Sequence, residues 1–144
     1  MELQLIRDNM ETDQRLSAKP VQITVEAEAA LPGGLREEAR VYYADAAAQV
    51  NGGEAAGNRV MTDGRVTFHV LYAQGDLSHI SALETSVDFS QTLPLREENP
   101  PSAALRMAPR AEVQHVSAKA FNGRLILRAI VQLSAEGLAP AAVS

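Results

Sequence analysis

The side chains that could form a nucleophilic site are Asp76, Ser78 and His79, which lie close together in the sequence. They are the residue types of a hydrolase triad, in which a carboxylate orients a histidine that takes the serine proton. Ser78 and His79 are neighbours, however, and neighbours on a β-strand point to opposite faces. A triad here would need unusual geometry, so we predict no catalytic residues.

Metal and acid–base chemistry have equally weak signals. His69, His79 and His115 show neither HxH nor HExxH spacing, so a metal site would have to be assembled entirely by tertiary contacts. The acidic pairs at 37–38 and 97–98 are adjacent only in sequence, and such pairs normally face water. We predict no metal and no cofactor, and keep a hydrolase that uses His79 or His115 as one hypothesis.

Composition indicates one domain. The chain has 144 residues, which is long enough for a self-sufficient core. It has no cysteine, so disulfides are excluded. A net charge of −5 and a pI near 5.2, with dispersed arginines, disfavour nucleic acid and anionic membranes as partners. The N-terminus lacks the basic and apolar regions of a signal peptide, and no stretch is apolar enough to span a membrane. We therefore predict synthesis in the cytoplasm.

The elements that would position any site have the period of β-strands. Residues 58–72, NRVMTDGRVTFHVLY, join the turn dipeptide Asp63-Gly64 to an alternating apolar set, Val66, Phe68, Val70 and Tyr72. Asp-Gly readily takes positive φ at both turn positions, so we predict a hairpin turn there, followed by a half-buried strand.

Further strands are predicted on either side of this hairpin. Residues 21–29 alternate apolar and polar, and Leu31-Pro32-Gly33-Gly34 ends them. We predict a strand over 35–50, although its alanines favour a helix, and a loop over 51–57, which lacks the GK[ST] of a phosphate-binding loop. Residues 77–91 are predicted as a long strand and 96–102 as a polar connection.

The clearest hairpin is centred on Asn122-Gly123, because a two-residue turn fixes the register on both sides. The predicted pairs are Ala120 with Leu125, Ala118 with Leu127 and Val116 with Ala129. Beyond Val116 the apolar pattern slips by one residue. A β-bulge near Gln114 or His115 would absorb that slip.

The other face of this hairpin is the candidate interface. It contains Phe121, Ile126 and Ile130 together with Arg124 and Arg128, and it is less polar than a solvated surface. Either a second sheet or the N-terminal segment covers it, as in a sandwich, or it binds another chain.

The predicted fold is all-β: an antiparallel β-sandwich, or a sandwich-like sheet built from hairpins. We expect residues 1–20 to form an N-terminal segment that includes an edge strand, 21–138 to form a single β domain, and 139–144 to form a frayed tail or linker.

Several short motifs occur in the order seen in a known family. They are Leu31-Pro32, Arg59-Val60 ahead of Gly64, Val70-Leu71-Tyr72, Leu83-Glu84, Phe89-Ser90 and the closing strand 124–133. In this order the chain resembles the SPOCS domain of endospore-forming Firmicutes over residues 21–133.

The resemblance implies a non-enzymatic role in spore envelope morphogenesis. In that family one or more such domains precede a LysM module and help attach the coat through a morphogenetic ATPase. No LysM module follows Leu138 here, so we expect a fragment or a stand-alone member. The implied partners are a coat protein, such as that ATPase, or further copies in an oligomer or filament, after synthesis in the mother cell and deposition on the forespore surface.

A second hypothesis is a glycan- or small-ligand-binding domain at the cell or spore surface. Tyr42, Tyr43 and Tyr72 would supply its stacking surfaces. Against it, aromatic residues make up only 4% of the chain and tryptophan is absent.

Overall fold

The computed structural model describes residues 13–34, 38–75, 79–96 and 105–140, which form seven β-strands. They are β1 (Asp13–Ser17), β2 (Val21–Ala30), β3 (Ala39–Ala56), β4 (Arg59–Gln74), β5 (Ile80–Pro94), β6 (Leu105–Phe121) and β7 (Arg124–Pro140). Every pairing between them is antiparallel. The predicted all-β class is therefore confirmed.

All seven strands share one hydrogen-bonded sheet in the order β1-β7-β6-β3-β4-β5, and β2 lies beside β1 along the same edge of β7. The edges of this sheet meet where Ala18, between β1 and β2, bridges to Leu95 after β5. The Lys19 N–H also donates to the Pro94 carbonyl over 2.8 Å. The described strands form one hydrogen-bonded sheet, so the sandwich detail of the prediction is not confirmed.

The bent sheet has two wings. We name β1, β2, β7 and β6 the β7 wing, and β3, β4 and β5 the β4 wing. A short ladder joins the wings, in which Gly53 of β3 pairs with Met107 of β6. The wings therefore continue into each other along one side and meet at the Ala18–Leu95 bridge on the other.

The central strand of each wing turns one face to the core. Phe68 and Val66 of β4 and Leu125 and Leu127 of β7 are fully buried in one hydrophobic cluster. Burying a side chain of this size contributes roughly 1.5–3 kcal/mol to stability. The prediction that Val66, Phe68, Val70 and Tyr72 form a core face is confirmed.

The predicted turn at Asp63-Gly64 is wrong, because both residues lie inside β4. The turn that leads into β4 is Gly57-Asn58, where Gly57 has φ +64° and Ala56 pairs with Arg59. Gly64 instead pairs with Phe89 of β5, and a Cβ at position 64 would overlap the Phe89 ring. The glycine is required for close packing rather than for a turn.

The predicted loop over 51–57 is also wrong for most of its length, since β3 continues to Ala56. Irregular pairing between Asn51 and Gly53, and again between Val41 and Tyr43, lets one long strand follow β4. The strand prediction for 35–50 is confirmed from Ala39 onward, where sheet pairing overrides the helix preference of the alanines.

The Asn122-Gly123 hairpin is confirmed in its register. Asn122 and Gly123 have φ values of 51° and 74°, and the three predicted pairs all occur. The register shifts between Val113 and His115, which confirms the predicted bulge.

The strand predicted over 77–91 is confirmed as β5, which begins at Ile80 and continues past the predicted end to Pro94. At the termini of the described part, β1 pairs with the last residues of β7, and β7 continues to Pro140. Predictions for residues 1–12, 35–37, 76–78, 97–104 and 141–144 lie outside the described residues, and these include Asp76 and Ser78.

Candidate interaction surface

The outward side chains of the β6–β7 hairpin form the surface that we name the β7 outer face, consisting of Phe121, Arg124, Ile126, Arg128 and Ile130. Along β7 the inward residues are buried, so the alternating residues 124–130 point outward. Phe121 lies opposite Arg124 at the turn and is 59% exposed. The structure brings all five predicted interface residues to one face.

The two arginines of the β7 outer face are held by glutamates of β2. Arg124 lies 3.1 Å from Glu28, and Arg128 lies 2.9 Å from Glu26. The sequence predicted that β2 has a polar face, but it did not indicate which strand pairs with β2. The roles of Glu26 and Glu28 were therefore missed. These ion pairs fix the guanidinium groups along the outside of β7.

The isoleucines of this face lie between polar neighbours on β2 and β6. Ile126 is flanked by Glu28 and Lys119, and Ile130 by Thr24 and His115. Both isoleucines are half-buried and lie outside the hydrophobic cluster of the core. Within the described part of the chain, no strand crosses over them, because β2 pairs beside β7 rather than above it.

A second apolar surface, missed in the sequence, lies on the outside of the β4 wing. We name Tyr43, Leu71 and Ile80 the β4 outer patch. Tyr43 pairs with Leu71, Leu71 pairs with Ala82, and Ile80 precedes Ala82 by two residues on β5. The three side chains are 55%, 40% and 61% exposed. The irregular pairing around Tyr42 sets which residues of β3 face outward, and the sequence does not show it.

A shallow polar depression lies further along the same outer surface, and its lining includes Gln49, Asn51, Asp63 and Arg65. Arg65 Nε donates to Asp88 Oδ1 over 2.7 Å, and the Ser90 hydroxyl donates to Asp63 over 2.6 Å. The hydrogen bond and charge of Asp88 raise the pKa of Arg65 above its usual value, so this guanidinium stays charged. Both carboxylates of the depression already have partners.

The histidines do not converge. His69 lies on the outside of β4 with its Nε2 3.5 Å from Glu84 Oε2, whereas His115 lies on β6 in the other wing. His79 is exposed just before β5. Within the described residues, no group of three or more His, Cys, Asp or Glu side chains could hold a metal ion.

The tyrosines divide between surface and core. Tyr42 and Tyr43 are exposed, but Tyr72 is buried and is therefore excluded from the predicted stacking surface. Arg40 lies over the Tyr42 ring at 5.9 Å from its centroid. No helix in the described ranges is both long and apolar enough to cross a membrane.

Comparison with known proteins identifies a family. The family model described as "SipL, SPOCS domain" matches residues 39–121, which run from the first residue of β3 to the last residue of β6. Neither a curated protein nor a solved structure matches the chain. The family match covers 83 of the 144 residues, more than half of the chain. The chain therefore belongs to the SipL SPOCS domain family and contains a sporulation-related domain.

Proposed function

We propose that this chain is a non-enzymatic protein-interaction and assembly module of spore envelope morphogenesis, and that the β7 outer face is its binding surface. It is made in the mother cell and deposited on the forespore surface, where its partner is a coat protein such as the morphogenetic ATPase. Membership of the SPOCS family supports the link to sporulation.

The observation that carries this proposal is the position of Phe121. This residue is 59% exposed at a hairpin tip, although it is one of only three phenylalanines in the chain. Exposed apolar groups with a polar rim are typical of protein-binding surfaces. Here the rim consists of the Arg124–Glu28 and Arg128–Glu26 ion pairs, which hold charged groups beside Ile126 and Ile130.

The experiment is imaging of a fluorescent fusion in a sporulating Firmicute. We expect the fused chain to form a ring around the forespore, and the Phe121→Asp variant to stay diffuse in the mother cell. Met61→Lys is the matched control, because Met61 is also exposed (53%) but lies on the outside of the other wing. A diffuse wild-type fusion would remove the proposal, and a ring formed by Phe121→Asp would exclude the β7 outer face.

A second candidate function, binding of a glycan or small ligand, is favoured by the polar depression on the outer surface of the β4 wing. Carboxylates and amides such as Asp63 and Gln49 are groups that hydrogen-bond sugar hydroxyls, and Tyr43 offers a ring on the same outer surface. A peptidoglycan pull-down tests it. Retention that is lost in Gln49→Ala and Asp63→Ala would favour this function, and no retention would remove it.

A further inference from the structure

We propose that a second copy of this chain binds the β7 outer face through its β4 outer patch, so that copies stack head to tail. The inference rests on the proposed assembly function and names one partner of the β7 outer face. The two surfaces lie on the outsides of different wings of the same molecule. One copy can therefore offer both surfaces at once.

The first argument is that both surfaces present exposed apolar groups. Ile80 is 61% exposed, Phe121 is 59% exposed and Tyr43 is 55% exposed. Apolar and aromatic side chains of this size provide the binding energy of most protein interfaces once water is removed from them. Strand pairing holds Tyr43 beside Leu71, so these two side chains of the β4 outer patch are neighbours on the sheet.

The second argument is the charge beside the β4 outer patch. The next row of the sheet contains Asp45, His69 and Glu84, which pair across the three strands. Asp45 accepts a hydrogen bond from the Ala46 N–H but has no ion pair among the described residues. With Arg40 included and histidine counted as neutral, the surroundings of the patch carry a net charge of −1.

The β7 outer face has the opposite sign. Its own cations are Arg124 and Arg128, and it is flanked by Lys119 of β6 and by Glu26 and Glu28 of β2, so the face and its flanks together carry a net charge of +1. The glutamates are occupied by the two arginines. That leaves Lys119, which has no ion pair among the described residues and lies opposite Ile126.

These charges favour one mode of pairing over the others. Placing two β7 outer faces together, or two β4 outer patches, would oppose like charges, whereas placing one against the other brings Lys119 toward Asp45 or Glu84. Opposite charges speed encounter and suppress the wrong register. A contact between two different surfaces leaves one of each free on every pair, so further copies can add until the assembly closes into a ring or, where the rotation between copies does not close, extends as a filament.

The test uses two variants that each block one surface. Ile80→Lys adds a positive charge to the β4 outer patch and leaves the β7 outer face intact. Lys119→Glu combined with Phe121→Asp blocks the β7 outer face and leaves the patch intact. All three positions are exposed, so both variants should fold. A circular dichroism spectrum of each variant that matches the wild-type spectrum would verify this.

Size-exclusion chromatography with light scattering gives the mass of each sample. We expect the wild type to grow with concentration and each blocked variant to stay at the monomer mass of 15.4 kDa. An equimolar mixture should form dimers of twice that mass and nothing larger, because only one intact pair of surfaces remains. Met61→Lys should associate like the wild type. We expect the dissociation constant for self-association of each blocked variant to be about tenfold or more above that of the wild type.

Three outcomes overturn the inference. They are a wild type that stays monomeric at the highest attainable concentration, a blocked variant that still oligomerises alone, and a mixture that stays monomeric. The forespore ring separates this inference from the proposed function. A monomeric chain that still forms the ring overturns head-to-tail stacking and leaves the assembly function standing.

Discussion

Replacing Gly64 by alanine should destabilise this protein far more than a single methyl group normally does. A Cβ at position 64 would overlap the Gln49 carbonyl oxygen and Phe89 Cζ, and it would lie 2.8 Å from Phe89 Cε1. The Phe89 ring can rotate away at some loss of packing. The Gln49 oxygen is backbone of β3, which is held against β4 on both sides of this point, so it cannot shift without disturbing the ladder.

Overpacking of this kind typically costs 1–3 kcal/mol, and a clash with backbone belongs at the upper end, so we expect about 3 kcal/mol. For a domain of this size that corresponds to a fall in melting temperature of roughly 6–12 °C. Because the chain has no tryptophan, urea unfolding is best followed by far-UV circular dichroism. With a slope near 2 kcal/mol per molar urea, the midpoint should fall by about 1.5 M.

The matched control is Gly52→Ala in the neighbouring strand. A Cβ at Gly52 meets nothing within 4 Å. The alanine there should leave stability unchanged or raise it by about 0.4–1 kcal/mol, by restricting the unfolded chain. Combining Gly64→Ala with Phe89→Leu should recover about 1 kcal/mol relative to the sum of the single changes, because one of the two overlaps is removed. The reasoning is refuted if Gly64→Ala lies within about 0.5 kcal/mol of the wild type.

Three further changes test other features by the same urea measurement. Thr62→Val should stabilise the chain by about 1 kcal/mol, since the buried Thr62 hydroxyl has no hydrogen-bond partner among the described residues. Thr62→Ser keeps the hydroxyl and should not stabilise the chain. A loss of stability in Thr62→Val would mean that the hydroxyl is hydrogen-bonded. Gly123→Ala should cost about 1–2 kcal/mol because Gly123 has φ 74°, and an unchanged midpoint would contradict the observed turn. Glu26→Gln should cost only about 0.2–1 kcal/mol, because its ion pair with Arg128 is exposed, and the cost should vanish in 1 M salt; a cost that persists there would indicate packing rather than charge.

Local signals in the sequence predicted the parts of this fold that local geometry decides. Asn122-Gly123 fixes the register of β6 and β7, because a two-residue turn leaves no freedom in the pairing. The alternation from Val66 to Tyr72 identified a buried face, because side chains on a strand alternate between its two sides.

Features that depend on distant partners were not predictable in the same way. Asp63-Gly64 has the composition of a turn, but its role is set by Phe89 on another strand. The residues of the β7 outer face were predicted from alternation along β7. Their pairing with Glu26 and Glu28 required the register of β2, which no local turn determines.

The exposed β4 outer patch was missed for a related reason. Tyr43 points outward only because the pairing of β3 with β4 is irregular around Tyr42. From the sequence alone, Tyr42 and Tyr43 are typical strand residues, and nothing local indicates which of them faces outward.

The ladder between β1 and β7 gives the molecule a mechanical property. Asp13 and Pro140, the first and last described residues, lie directly opposite each other, and the pairing continues inward to Ser17 and Glu136. A pulling force applied across these two residues loads the hydrogen bonds of the ladder one pair at a time, starting from its end. Under such a force β1 should therefore separate from β7 at low force while the β4 wing stays folded.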